Sequence, residues 1–180
     1  ALNIRHMFGS FFEALHQSAF QVSSVMTTTG YATTDFDKWP VFSRTVMLIV
    51  MCVGACACST GGGFKVSRIV ILAKSAKREL KRLAHPRSVS VITMDGKRIS
   101  DEVVTGTNVF FFFYVVIFVV SLLIVSTDGK DMVTNISGVI ATLNNIGPGL
   151  GEVGPTGNFS DFSWYSKVVF ILDMILGRLE

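Results

Sequence analysis

Thr27-Thr28-Thr29-Gly30-Tyr31 and Asn144-Asn145-Ile146-Gly147-Pro148 decide how this chain is read. Each closes a short, semi-polar segment: Phe11 to Met26 before the first, Asp131 to Leu143 before the second. The first of these carries Glu13, His16, Gln17, Gln21, Ser23 and Ser24, and both are too short to cross a hydrocarbon layer as helices. Taken alone, either loop reads as an ordinary turn after a helix. Setting Gly30 on Gly147, however, brings Val22 onto Val139 and Ser24 near Ala141, so the turn recurs at matching places in an internal repeat.

The rest of the chain says what kind of repeat this is. Apolar residues make up 49% of the sequence and charged ones only 16%, a membrane composition. Val103 to Val125, centred on the run Val109 to Val120, contains no charge and is long enough to cross a bilayer. Phe42 to Ala73 is also apolar but is broken by Gly54-Ala55-Cys56-Ala57-Cys58-Ser59-Thr60-Gly61-Gly62-Gly63-Phe64-Lys65. As one straight helix it would exceed the hydrocarbon thickness, and three successive glycines are poor helix interior. A helix broken near mid-membrane is therefore expected, its loop packed in protein or lining an aqueous cavity. Phe162 to Leu176 begins a comparable apolar helix after the second loop.

Charge gives the orientation. Lys74, Lys77, Arg78, Lys81, Arg82, Arg87, Lys97 and Arg98 are opposed only by Glu79 and Asp95, so segment 74–98 is expected on the cytoplasmic side and the two glycine loops towards the outside. That segment reads as an orientation signal and docking surface beside a membrane rather than as a nucleic-acid or lipid-binding patch. Trp39 is placed for an interfacial aromatic, and Asp95-Gly96 for a small turn. Ala1 to His6 shows no signal-peptide pattern, and the chain is expected to begin within a longer protein.

A half-length helix running into a glycine loop is the pattern of a re-entrant pore helix. A dehydrated K+ needs oxygen ligands in place of its water shell, and backbone carbonyls supply them without fixed charge; glycine reaches the angles that point carbonyls at an axis. The short helices would aim their partly negative C-terminal ends at the ion. Thr28, Thr29, Gly30, Asn145, Ile146 and Gly147 are the expected K+ ligands, with Pro148 stiffening the exit.

Other chemistries find little support. Gly149-Leu150-Gly151-Glu152-Val153-Gly154 matches a dinucleotide fingerprint but follows no apolar strand, and Pro155 and Gly157 deny it a helix. Gly61 to Lys65 lacks the ending of a phosphate loop. Cys52, Cys56 and Cys58 have no metal-site company and read as small buried residues; His6, His16 and His85 are scattered. No catalytic residues, organic cofactor or nucleic-acid partner are expected. Aligning Met51 to Gly54 with Met174 to Gly177 puts Arg178 at the depth of the broken-helix loop, where an arginine normally faces a cavity or a partner. Hydrogen bonds from Arg178 to loop carbonyls would make it part of a gate; snorkelling to the cytoplasmic interface is the alternative. Asp173 lies on a different face and has no assigned role.

Met26 to Tyr31, Ser59 to Arg68, Asn144 to Gly149 and Leu176 to Glu180 together resemble the Trk/Ktr/HKT superfamily of potassium transporters, most closely the bacterial TrkH type. The resemblance implies an all-α integral membrane protein of repeated helix, pore helix, filter loop and helix units, potassium-channel-like and pseudo-fourfold around a pore. This chain would hold most of the third and fourth repeats: 1–73, a basic cytoplasmic segment 74–100, and 101–180. It further implies an intramembrane gate at Gly61, Gly62 and Gly63 with Arg178 beneath it, a homodimer in the cell inner membrane, and a cytoplasmic ring of nucleotide-binding regulatory subunits of the TrkA type. The run Ala55-Cys56-Ala57-Cys58 is poorer in glycine than the family pattern. Two filter strands cannot enclose an ion, so the remaining repeats are required partners. Rival readings are a Na+-permeable relative, a tetrameric K+ channel, disfavoured by the unequal loops, and a membrane domain that moves no ion. Symport with H+ or Na+ and uncoupled passage both suit these residues.

Overall fold

The computed structural model describes residues 1–54, 62–85, 91–94 and 96–178. Helix α1, Phe11–Met26, starts where the Ser10 hydroxyl accepts from the Phe12 amide at 3.3 Å. Its counterpart α5, Met132–Leu143, starts on the Asp131 carboxylate, which accepts from Val133 N. These are the side-chain caps that short helices need for their unpaired first amides. Their C-terminal ends repeat bond for bond. Thr27 N, Thr28 N and Thr29 N donate to the carbonyls of Ser23, Val25 and Ser24; Asn144 N, Asn145 N and Ile146 N donate to those of Ile140, Thr142 and Ala141. The register is the one that sets Gly30 on Gly147, so the repeat is a feature of the backbone.

The apolar stretch after the first loop is broken as expected. Helix α2, Val41–Cys52, stops short of Gly54, and α3, Val66–Ala84, begins after Lys65. Gly54 N donates to Phe64 O at 2.7 Å, closing the two sides of the break. Phe64 is clamped by Phe110, Phe111 and Tyr114 of α4, Asp101–Val125, with ring centroids 5.5–6.0 Å apart. Three expectations change. The 73/74 boundary falls inside α3, because the helix continues unbroken from its apolar half into its basic half. A purely helical chain gains a two-stranded antiparallel hairpin, β1 Thr93–Met94 with β2 Lys97–Arg98, turned at Gly96 with φ +76°. Trp39 is buried edge-on against Phe36 rather than set out at an interface.

Helix α6, Trp164–Leu176, packs with α4 and α5 into one group, and α1 packs with α2 into another. Ile140, Ile146 and Leu150 from the second repeat enter the core of Phe36, Trp39, Met47 and Met51 from the first, joining the two. Among the described residues α4 is the one helix long and apolar enough to cross a membrane, and 11% of its apolar window is buried. The core helix of a soluble protein is by contrast mostly buried. Val168, Ile171, Leu172 and Ile175 form an exposed apolar stripe on α6, with Ser166, Phe170 and Asp173 buried on the opposite face.

Asp173 is the buried carboxyl of that inner face. The Ser121 hydroxyl of α4 donates to its Oδ1 at 2.7 Å, while Oδ2 has no hydrogen-bond partner. The pair is thus a single polar rivet between α4 and α6. Ser121→Ala should destabilise the full-length protein by about 1–3 kcal/mol, the cost of leaving a buried acceptor unsatisfied. A lowered thermal unfolding midpoint in detergent checks this; an unchanged midpoint would remove the rivet's structural role.

Candidate functional site

The two glycine loops have the same backbone signature. Thr28 and Asn145 lie in the left-handed region at φ +56° and +55°, and two residues later Gly30 and Gly147 follow at +78° and +106°. Two positive-φ residues alternating with an ordinary one turn the chain sharply at the end of a helix. The loops also meet. A Cβ on Gly30 would collide with the Ile146 carbonyl oxygen and lie 3.3 Å from Cδ of Pro148. A Cβ on Gly147 would meet nothing within 4 Å. Six expected ligands, Thr28, Thr29, Gly30, Asn145, Ile146 and Gly147, therefore belong to two touching turns, each at a helix C-terminus.

Burial separates the two. Nine of the 12 residues of α5 are buried, against four of 16 in α1, because α5 is enclosed by α2, α4 and α6. Ile146 is buried, whereas Thr29 and Tyr31 are exposed. The first loop is held by Ser24, whose hydroxyl donates to Tyr31 O at 2.6 Å. The second is held by Ser137, whose hydroxyl donates to Leu150 O and accepts from Leu150 N at 2.8 Å.

Asn144 is the residue that sequence reasoning did not single out. Its side chain is 1% exposed. Its amide donates to Met51 O, near the end of α2, at 3.0 Å, and its Oδ1 accepts from the Tyr114 hydroxyl of α4 at 3.0 Å. A Cβ on Gly62 would lie 2.5 Å from Asn144 O, and one on Gly63, at φ +82°, 2.9 Å from Asn144 Oδ1. A Cβ on Gly177 would collide with Leu143 O and lie 3.2 Å from Nδ2 of Asn145, which itself donates to Met174 O at 3.0 Å. Gly62 and Gly63 before α3, and Gly177 beyond α6, thus converge on the base of the second loop. Gly61 lies outside the described residues, as do Cys56 and Cys58; Cys52 is half-buried. Arg178 directly follows Gly177 in the chain. Only the buried, glycine-matched position at the end of a helix marks Asn144 in the sequence, and its partners are distant in the chain.

The segments that follow the two loops are tied together. Asp37 Oδ1 accepts from Gly151 N at 2.9 Å and faces Arg44 Nε at 3.7 Å. Lys130 and Glu152 pair at 2.6 Å, and hydrogen bonding to that carboxylate raises the lysine pKa above its ordinary value.

A broken membrane helix between two matched glycine turns is a specific arrangement, and it is shared. The sequence model of the TrkH family, described as a cation transport protein, matches residues 7–180. The chain belongs to the TrkH family. Its relatives include the Trk system potassium uptake protein TrkH of Vibrio parahaemolyticus, 44% identical over 97% of this chain and 36% of that protein. TrkH of Escherichia coli K12 is 39% identical over the same share of both. The crystal structure of the potassium transporter TrkH from Vibrio parahaemolyticus superposes with a TM-score of 0.87 at 43% identity, covering 99% of this chain and 38% of that one. The chain thus spans a little over a third of the length of these TrkH relatives. TrkH proteins are membrane proteins, which agrees with the apolar outer faces of α4 and α6.

The Asn144 contacts predict non-additive stability effects. Asn144→Leu strands Met51 O and the Tyr114 hydroxyl together and should cost about 2–4 kcal/mol, more than the roughly 1–2 kcal/mol of Tyr114→Phe. The double variant should melt no lower than Asn144→Leu alone, since that change already removes the bond. Additive losses in full-length protein would dissolve the proposed pairing.

Proposed function

We propose that this chain is part of the pore subunit of a Trk-type potassium uptake system, passing K+ through a backbone-carbonyl filter above a gating loop. The observation that carries this reading is the pair of loops with the same φ pattern, each ending a short helix and touching its partner at Gly30 and Ile146. Carbonyls of Thr28, Thr29 and Gly30, and of Asn145, Ile146 and Gly147, would replace part of the hydration shell of the ion. Helices α1 and α5 act as pore helices whose C-terminal dipoles favour a cation.

Two such strands are half of a ring. The exposed Phe12, Leu15 and Phe20 of α1 offer apolar surface that the remaining repeats of a pseudo-fourfold pore would cover. The gate is formed by the glycine loop, Gly61, Gly62 and Gly63, together with Arg178. Contact of Gly62 and Gly63 with Asn144 supports this, because a movement of the loop has to pass through the residue that ends the second pore helix. The filter faces outward and the basic segment 74–98 faces the cytoplasm of a cell whose inner membrane holds the protein as a homodimer. A regulatory nucleotide-binding ring docks from the cytoplasmic side.

Rb+ uptake by full-length protein in liposomes tests the filter. Gly30→Ser should abolish selective flux, since a side chain there meets both an unfavourable φ and the Ile146 carbonyl. Gly147→Ser should reduce flux about tenfold or more through backbone strain alone. Unchanged flux and selectivity in both variants would sink the filter assignment. Arg178→Ala should raise leak with K+ over Na+ selectivity intact; lower or unchanged flux counts against a gate.

A further inference from the structure

Helix α3 leaves the apolar region with its charges sorted. Lys74, Lys77, Arg78 and Lys81 lie at helical spacing along one face. That face meets Val91, Ile92 and Thr93 across a concave site of about 210 Å³. The opposite wall is fixed in place: Ile92 is buried with Ile71 of α3 and Val104 of α4, and the Lys74 ammonium donates to Thr93 O at 2.5 Å. Arg78 is already neutralised, with Nη1 2.9 Å from Asp101 Oδ1 and Nε 3.6 Å from Glu79 Oε1. The side chains of Lys77 and Lys81 have no hydrogen bond or ion pair among the described residues, and Lys74 retains two N–H donors. A preformed concavity with surplus positive charge and several free N–H groups suits a phosphate ester.

Depth identifies the source of that ester. The 25 residues of α4 make a helix about 37 Å long, several ångströms more than the hydrocarbon thickness of roughly 30 Å. Asp101 is its first residue and grips Arg78, so the middle of the basic face lies level with the root of the membrane helix. Lys74 directly follows the apolar run Ile69 to Ala73. The basic pocket therefore opens within the headgroup layer, where juxtamembrane cations meet anionic lipid. We propose that the groove between α3 and residues 91–93 binds the phosphate headgroup of an anionic phospholipid from the adjoining leaflet, chiefly through Lys77 and Lys81.

Native mass spectrometry of the full-length protein, titrated in detergent with phosphatidylglycerol, tests this. Phosphatidylglycerol should form an adduct that phosphatidylcholine does not, and Lys77→Gln with Lys81→Gln should weaken it about tenfold or more. Both lysines are exposed, so the substitution leaves the core of Ile71, Ile92 and Val104 untouched, and Lys77→Arg with Lys81→Arg should retain the adduct. Equal retention by the glutamine variant, or equal binding of phosphatidylcholine, overturns the proposal. Displacement of the lipid by millimolar inorganic phosphate would overturn it in favour of a soluble anion site. Ion flux does not enter any of these readings.

Discussion

Backbone groups freed where a helix stops within packed protein have no water to turn to, and the rest of this structure is arranged around satisfying them. Helix α2 ends at Cys52 and α5 at Leu143, close together in space although far apart in the chain. One carboxamide at the end of α5 gives its N–H to the Met51 carbonyl at the end of α2 and receives the Tyr114 hydroxyl of α4. The chemistry is restrictive. A carboxylate at Asn144 has the acceptor but no donor, an aliphatic residue has neither, and a charge would be costly at 1% exposure.

From that point the contacts spread in three directions. Tyr114 leads to Phe64 and the start of α3, Met51 to the first repeat, and Asn145 through Met174 to the end of α6. The glycines at 62, 63 and 177 are what allow backbones to come this close, since a methyl group at any of them would meet an atom of Leu143, Asn144 or Asn145. Close backbone approach and a shared polar partner therefore occur at the same spot. The exposed faces of α4 and α6 are built on the opposite principle, with apolar side chains and few polar groups.

What the sequence disclosed follows from where its signals are local. Ser10 and Asp131 cap their helices from one residue away, and Gly30 and Gly147 end the loops through their own φ angles, so α1, α5 and both turns were legible. The break between α2 and α3 was legible for the same reason, in a run of glycines. Asn144, Asp173 and Trp39 were not, because each owes its role to partners far along the chain: Met51 and Tyr114, Ser121, and the packing around Phe36. Charge pattern drew a border at residue 74 that α3 ignores, since lysine and arginine are good helix formers and a change of polarity does not end a helix. The β1–β2 hairpin is two residues a side, too short for an alternating pattern to show.

The touching turns have one more consequence, for how such a chain can change over evolutionary time. In an assembly of identical subunits a substitution appears in every copy at once and must be tolerated in every setting. Tandem copies in one polypeptide are released from that rule. Here the settings have already diverged: a carbonyl crowds Gly30, whereas the space beside Gly147 is open. The left-handed φ of each glycine resists a side chain at either turn, and at Gly30 the Ile146 carbonyl resists it a second time, so equivalent positions of the repeat are held by unequal sets of constraints.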